Sequence, residues 1–188
     1  MAKLKKGLVH IYTGKGKGKT TASLGLALRA VSSGLKVCMF QFLKKRGTSS
    51  ENWLEFPNFR IVCLNQEHPM FSGIRVTPFF RAGQKGAGVS QSLAKKIKKD
   101  LAKIKQVMRT GKYDVIILDE ILNCVSQKFL NEAEVLRLIK AKPARVELVL
   151  TGRGATSRLV AASDYATRLD KVKHPFDKGE RARKGIEY

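Results

Sequence analysis

The sequence predicts an α/β fold, a mostly parallel sheet with helices on both faces. Three observations carry this expectation. Short apolar runs of strand length recur at residues 7–13, 36–43, 59–65, 113–120 and 145–152. Helical patterns lie between several of them, as crossovers between parallel strands require. The runs are apolar on successive residues, which suits strands covered on both sides. At 188 residues the chain is long enough for one compact domain with a substantial core and short for two, so a single domain over 1–188 is expected.

The first run, GLVHIYT, leads straight into glycines. After them Ala22, Leu24, Leu26, Ala27, Leu28, Ala30 and Val31 predict a helix that stops around Ser33 and Gly34. KVCMFQFL (36–43) and FRIVCLN (59–65) read as the second and third strands. Residues 66–89, rich in Gly, Pro and Phe, read as a functional loop or flap because a structureless stretch of that length is unusual. From Val89, the spacing of Leu93, Ile97, Leu101, Ile104 and Met108 gives one apolar face of a helix ending near Gly111. Its other face carries Lys95, Lys96, Lys98, Lys99, Lys103 and Lys105. No aromatics interleave with these lysines, which favours a solvated face over a nucleic-acid stripe. YDVIILDE (113–120) is an apolar strand ending in two carboxylates, and Asn131 with Glu134 resembles a capping box for a helix over 132–141. RVELVLTG (145–152), a short helix over 156–163 and a strand-like segment near 165–173 precede a polar tail.

With 43% hydrophobic and 28% charged residues, the composition is that of a globular protein. No apolar stretch reaches the length of a membrane span, and the basic opening MAKLKKGLVHIYTG is broken by His10, unlike a signal peptide. Cys38, Cys63 and Cys124 are far apart and odd in number, which points to free thiols in a reducing cytoplasm, not a metal site or disulfide frame. The net charge of +22, with no acidic residue before Glu51, attracts polyanions in general: nucleic acid, nucleoside triphosphates, acidic proteins, anionic surfaces.

The chemistry concentrates in TGKGKGKTT (13–21). A dinucleotide fold would need glycine where Lys19 sits and an acid about 20 positions further on; the next acid is Glu51. A phosphate loop explains more, although Thr13 stands where that motif has its first glycine. Gly14, Gly16 and Gly18 let successive N–H groups face phosphate oxygens, and the following helix adds its dipole. Lys19 would neutralise phosphate charge, Thr20 would bind a divalent cation, and Lys15 and Lys17 make the loop more cationic than usual. Asp119 and Glu120, closing a strand, fit the carboxylate half of such a site. Arg153 in LTGRG follows a later strand, where it either contacts the triphosphate or is a surface arginine at a helix start.

The segments GLVHIYTGKGKGKTTASLGLALRA, YDVIILDEI, LTGRGA and VKHPFDKGERARKGIEY, in this order, resemble the ATP:corrinoid adenosyltransferases of the phosphate-loop type. The resemblance implies a RecA-like P-loop fold and transfer of the 5′-deoxyadenosyl group of ATP to the Co(I) of a corrinoid, with release of tripolyphosphate, in adenosylcobalamin biosynthesis or salvage. It implies ATP bound in a reversed sense in the loop by Gly14, Lys15, Gly16, Lys17, Gly18, Lys19, Thr20 and Thr21, by Arg153, and near the adenosine by Val172, Lys173 and His174. Mg²⁺ (or Mn²⁺) would be held by Thr20 and Glu120, with Asp119 beside them. Cobalt is the nucleophile, so the protein supplies none; Lys19 and Arg153 give electrostatic support. The family removes the lower axial ligand from Co(II), in some members with a Gly-Phe-x-Trp element that this chain lacks. Phe71, Phe79 and Phe80 are the candidates to cover the corrinoid here, or else they plug the core. Further implications are a cytoplasmic homodimer, a flavodoxin-like or other flavoprotein reductant, and no membrane. Six residues precede the first run, so any N-terminal cover over the site is expected to be absent or short. The alternatives from the residues alone are a RecA-like ATPase acting on nucleic acid, with Glu120 activating water, and a non-catalytic nucleotide-binding module.

Overall fold

The computed structural model describes residues 4–47, 50–54, 56–66 and 87–187. Strands β1 (Val9–Thr13), β2 (Val37–Gln41), β3 (Phe59–Cys63), β4 (Val115–Asp119), β5 (Glu147–Thr151) and β6 (Tyr165–Arg168) form one sheet in the order β3-β2-β4-β5-β1-β6. Every pairing is parallel. All the strands therefore end on one side, and the loops that follow β1, β2, β4 and β5 meet there.

Strands β2 and β4 are buried at every residue because helices cover both faces. Helix α1 (Lys19–Ser32) packs Ala27 and Ala30 against Val37, Met39, Val115, Ile117 and Val149. On the opposite face α2 (Ala87–Arg109) buries Ile97, Leu101, Ile104 and Met108 against Cys38, Phe40, Ile116 and Leu118. Each such side chain contributes about 1.5–3 kcal/mol when fully buried. The short α3 (Ile121–Ser126), α4 (Glu132–Lys140) and α5 (Ser157–Ala161) complete that second layer.

The predicted parallel α/β sheet is present. Helix α2 starts at Ala87, two residues before the predicted Val89, and its Lys95, Lys96, Lys98, Lys99 and Lys103 are exposed. Glu134 accepts the Asn131 N–H at 2.8 Å, the reciprocal half of the expected capping box. The last strand is shorter than 165–173. After Arg168 the Leu169 carbonyl accepts from Gly16 N–H at 2.7 Å, which turns the chain along the glycine loop instead of along β1. Phe71, Phe79, Phe80 and most of the 66–89 segment lie outside the described residues.

Candidate active site

The loop of residues 14–18 leaves β1 and delivers the chain into α1. Gly14 and Gly18 adopt φ of 108° and 109°, a region that L side chains rarely enter. Gly16 is needed for another reason: a Cβ there would sit 2.7 Å from the backbone carbon of Asp170. Thr13, at the position the common motif gives to glycine, uses its hydroxyl to accept the Ala155 N–H at 3.3 Å. It thereby joins the loop after β5 to the end of β1. Gly18 offers no side chain to cap α1, and the first turn holds no acid, so the helix N-terminus keeps its donors and positive end for an anion.

Lys19 is 8% exposed and its ammonium donates to the Gly16 carbonyl at 2.7 Å. Burial lowers its pKa below the ordinary lysine range; Glu120 and Asp119 oppose that shift and Arg153 adds to it. Lys15, Lys17 and Thr21 are exposed, and Lys17 lies 3.8 Å from Glu187 of the tail.

Asp119 ends β4 with no solvent exposure. Its Oδ1 accepts two hydroxyl protons, from Thr20 at 2.9 Å and Thr151 at 2.7 Å. The Lys44 ammonium lies 3.0 Å from its Oδ2, an ion pair buried on the Asp119 side. Glu120 follows with φ 65°, strained for a non-glycine, and its N–H donates to the Thr151 hydroxyl at 2.9 Å. Burial raises the Glu120 pKa, helped by Asp119 and opposed by Lys44, Lys19 and Arg153. Asn123 on α3 donates to the Glu120 carboxylate and accepts the Arg153 N–H at 2.5 Å. That contact fixes the turn containing Gly152, where φ is 131° and a Cβ would meet Asn123 N at 2.9 Å.

Thus Lys19, Thr20, Asp119, Glu120 and Arg153, distant in sequence, stand together at the carboxyl ends of β1, β4 and β5. Val172 and Lys173 are exposed, and His174 accepts the Phe176 N–H at 3.1 Å, capping the turn at Pro175–Lys178. Thr151, Asn123, Gln41, Lys44 and Glu51 also belong to the site and were not singled out from the sequence. Gln41 had a usable signal, because it closes an apolar strand as Asp119 does. The donors suit a small hard cation: a hydroxyl oxygen, carboxylate oxygens and a phosphate cradle beside them. Among the described residues, no three His, Cys, Asp or Glu side chains group to bind a metal by themselves. A cation here would share its coordination with phosphate oxygens and water.

The pattern of the ATP:corrinoid adenosyltransferase BtuR/CobO/CobP family matches residues 5–188. The chain belongs to this family. It is 32% identical over 187 residues to a corrinoid adenosyltransferase of Sinorhizobium sp., covering 97% of this chain and 81% of that one. It is 30% identical over 194 residues to the corrinoid adenosyltransferase CobA of Salmonella typhimurium LT2, covering 100% of this chain and 88% of that one. The corrinoid adenosyltransferase of Escherichia coli K12 is 30% identical over 183 residues, with 97% and 86% covered. Among solved structures, a KaiC-like protein of Pyrococcus horikoshii OT3 superposes with a TM-score of 0.54 at 16% identity, covering 88% of this chain and 73% of that one. At that identity the likeness concerns the RecA-like P-loop fold alone.

Proposed function

We propose that this adenosyltransferase moves the 5′-deoxyadenosyl group of ATP onto the Co(I) of a corrinoid. The cobalt electron pair attacks the 5′ carbon, the carbon–oxygen bond to the triphosphate breaks, and its electrons leave with tripolyphosphate. The observation that carries this reading is the conjunction of the family pattern with an uncapped helix behind Gly14–Thr20, facing Asp119 and Glu120. Such a reaction asks for no nucleophile or base from the protein. It asks for placement of the ribose methylene and for positive charge where the leaving group's charge develops.

Lys19, together with the α1 amides, stabilises the leaving tripolyphosphate, with Lys15, Lys17, Thr21 and Arg153 around it. Lys19 must leave the Gly16 carbonyl to do so, and that single hydrogen bond is readily exchanged for charge-assisted bonds to phosphate. Thr20 and Glu120 hold Mg²⁺, which neutralises part of the triphosphate charge, and Asp119 orients Thr20 from behind. Val172–His174 contact the adenosine, and Phe71, Phe79 and Phe80, outside the described residues, are the candidates to cover the corrinoid. The net charge of +22 steers an acidic flavoprotein reductant to the surface. The enzyme works as a homodimer in the cytoplasm, where the free Cys38, Cys63 and Cys124 remain reduced.

The test is anaerobic incubation with ATP, Mg²⁺ and chemically reduced corrinoid. The expected outcome is loss of the Co(I) spectrum with stoichiometric tripolyphosphate. ATP turnover to ADP and phosphate without corrinoid would replace this reading with that of an ATPase. With a flavoprotein as the electron source, the rate of Co(II) reduction falls as ionic strength rises; a rate indifferent to salt removes the steering role.

A further inference from the structure

Immediately after β2 the chain places a lysine for which neither the phosphate loop nor the carboxylate pair gives a reason. Leu43 is buried with φ 53°, an uncommon conformation for a side chain of that size. It is held there by the side chain of Gln66, itself 1% exposed, whose Oε1 accepts the Leu43 N–H at 3.2 Å. Gln66 is fixed in turn by donating to Asp100 of α2 at 2.9 Å. The Lys44 carbonyl accepts from Gln66 N–H at 3.0 Å and from the Cys63 thiol at 3.3 Å. Cys63 of β3 and Gln66, itself tied to α2, thus constrain the backbone at Lys44, whose side chain returns over the end of β4.

There the ammonium lies 2.5 Å from Glu51 Oε1 and 3.0 Å from Asp119 Oδ2. The same Glu51 oxygen also accepts from Gln41 Nε2 at 2.9 Å, which fixes the carboxylate beside the lysine. Burial works against the lysine's charge, but Asp119 and Glu51 together raise its pKa above the ordinary lysine range. The chain of contacts runs from Gln41 through Glu51 and Lys44 to Asp119, and from Asp119 to the hydroxyls of Thr20 and Thr151.

We propose that Lys44 is a positioning residue of the transfer reaction, holding the outer oxygen of Asp119 so that the inner one orients Thr20 toward the cation. This rests on the metal reading given above. A hydroxyl has one proton and two lone pairs. With its proton committed to Asp119 Oδ1, Thr20 presents lone pairs to the cleft, as a metal ligand must. That commitment holds only while the carboxylate keeps its rotamer. Without Lys44, Asp119 Oδ2 would be a buried anionic oxygen with no partner among the described residues, and the carboxylate would turn toward the cation itself. Ion pairing is therefore used here for direction, and Glu51 keeps the ammonium from swinging toward the triphosphate.

Outer-shell partners of this kind change metal affinity by about 10–100-fold when removed. The experiment measures Mn²⁺ binding by electron paramagnetic resonance, with ATP present and corrinoid absent, for wild type, Lys44→Met, Asp119→Asn and the double variant. Lys44→Met is expected to weaken Mn²⁺ about 10–100-fold while metal-free ATP affinity changes much less. Its kcat should recover, at least in part, when Mg²⁺ is raised. The loss in the double variant should be well below the product of the single losses, because both act on the orientation of Thr20. Should Lys44→Met fail to fold, Glu51→Gln keeps the buried pair with Asp119 and loosens only its anchor; a smaller loss of Mn²⁺ affinity is expected, at an unchanged melting temperature. Wild-type affinity in the folded variants, or independent multiplicative losses, would overturn the proposal. A wild-type protein that binds no Mn²⁺ with ATP would instead overturn the metal reading beneath it.

Discussion

At the amino ends of the strands, three carboxylates each receive a backbone N–H: Glu147 from Leu8 at 2.7 Å, Asp164 from Val9 at 2.8 Å and Asp114 from Lys36 at 2.8 Å. Lys142 beside them donates to the carbonyls of Gly7 at 2.7 Å and Val146 at 2.8 Å. At the carboxyl ends the same residue types are handled differently. Among the described residues, the side chain of Asp119 takes no backbone N–H, only the hydroxyl protons of Thr20 and Thr151 and the ionic contact of Lys44. Lys19 makes one contact within its own loop, and Glu120 sits in a strained conformation. One end uses charge to staple strand starts to their neighbours. The other leaves Lys19 with a single local hydrogen bond that a ligand can replace, and uses Asp119 to orient a hydroxyl instead of a strand. Charged groups of identical type thus separate into structure and site by what they are bonded to.

The largest effect that would test this division is at Lys19. Lys19→Ala removes the buried ammonium of the loop but only one local hydrogen bond of the fold. Adenosyl transfer is expected to fall by about 10²–10³-fold, the usual consequence of losing a group aimed at developing charge. The melting temperature should stay within a degree or two, on the order of a surface substitution. Thermal melts beside single-turnover rates decide it. A large loss of stability with modest loss of rate would mean that Lys19 is a structural lysine and that the contrast between the two ends is misplaced.

Gly16→Ala sharpens the comparison from the other side, because the loop is walled by the backbone of Leu169 and Asp170. The added methyl displaces that wall or the loop, and it weakens the 2.7 Å bond from Gly16 N–H to Leu169 O. A shift approaching 1 Å in a positioned loop costs up to about 10²-fold in rate, so a loss of about 10–10² in kcat/KM is expected, mainly through KM for ATP. Equilibrium ATP binding checks this. An unchanged affinity would show that residues 169 and 170 yield freely and do not shape the nucleotide cleft.

Much of this arrangement was legible in the sequence, and the part that was not shares one cause. The strands, α1 and the lysine-faced α2 announce themselves through local periodicity, and the loop through its glycines. Asp119 and Glu120 were legible because a carboxylate pair closing an apolar strand is a local pattern. Thr151, Asn123 and Gln66 carry no such pattern, since each acquires its role from a partner about 30 positions away, as with the 32-residue separation between Thr151 and Asp119. Lys44 sat at a strand's carboxyl end, but in so basic a chain one more lysine gives little signal. The shortened β6 had a similar origin: the bond from Gly16 to Leu169 that redirects it joins two segments at opposite ends of the chain.

The smallest effect concerns Glu147, at the structural end. Its carboxylate accepts the Leu8 N–H and meets His10 Nε2. Burial pushes its pKa up, but the bonds from His10 and Leu8 outweigh burial and bring it below the ordinary value of 4.5. A carboxyl depressed on folding adds stability that is fully present above its unfolded pKa and is lost as pH falls through its folded pKa. Glu147→Gln still accepts from Leu8 and loses the charge, so at neutral pH it should cost about 1 kcal/mol after allowance for solvent screening. Denaturation of both proteins from about pH 7 down to about pH 3 should show a gap that narrows once pH drops below 4.5, while transfer activity at neutral pH is unchanged. A gap that persists undiminished at low pH would mean that shape, not charge, holds β1 to β5. A loss of activity would tie the amino ends of the strands to the site across the sheet, and the separation of the two ends would fail at its structural side.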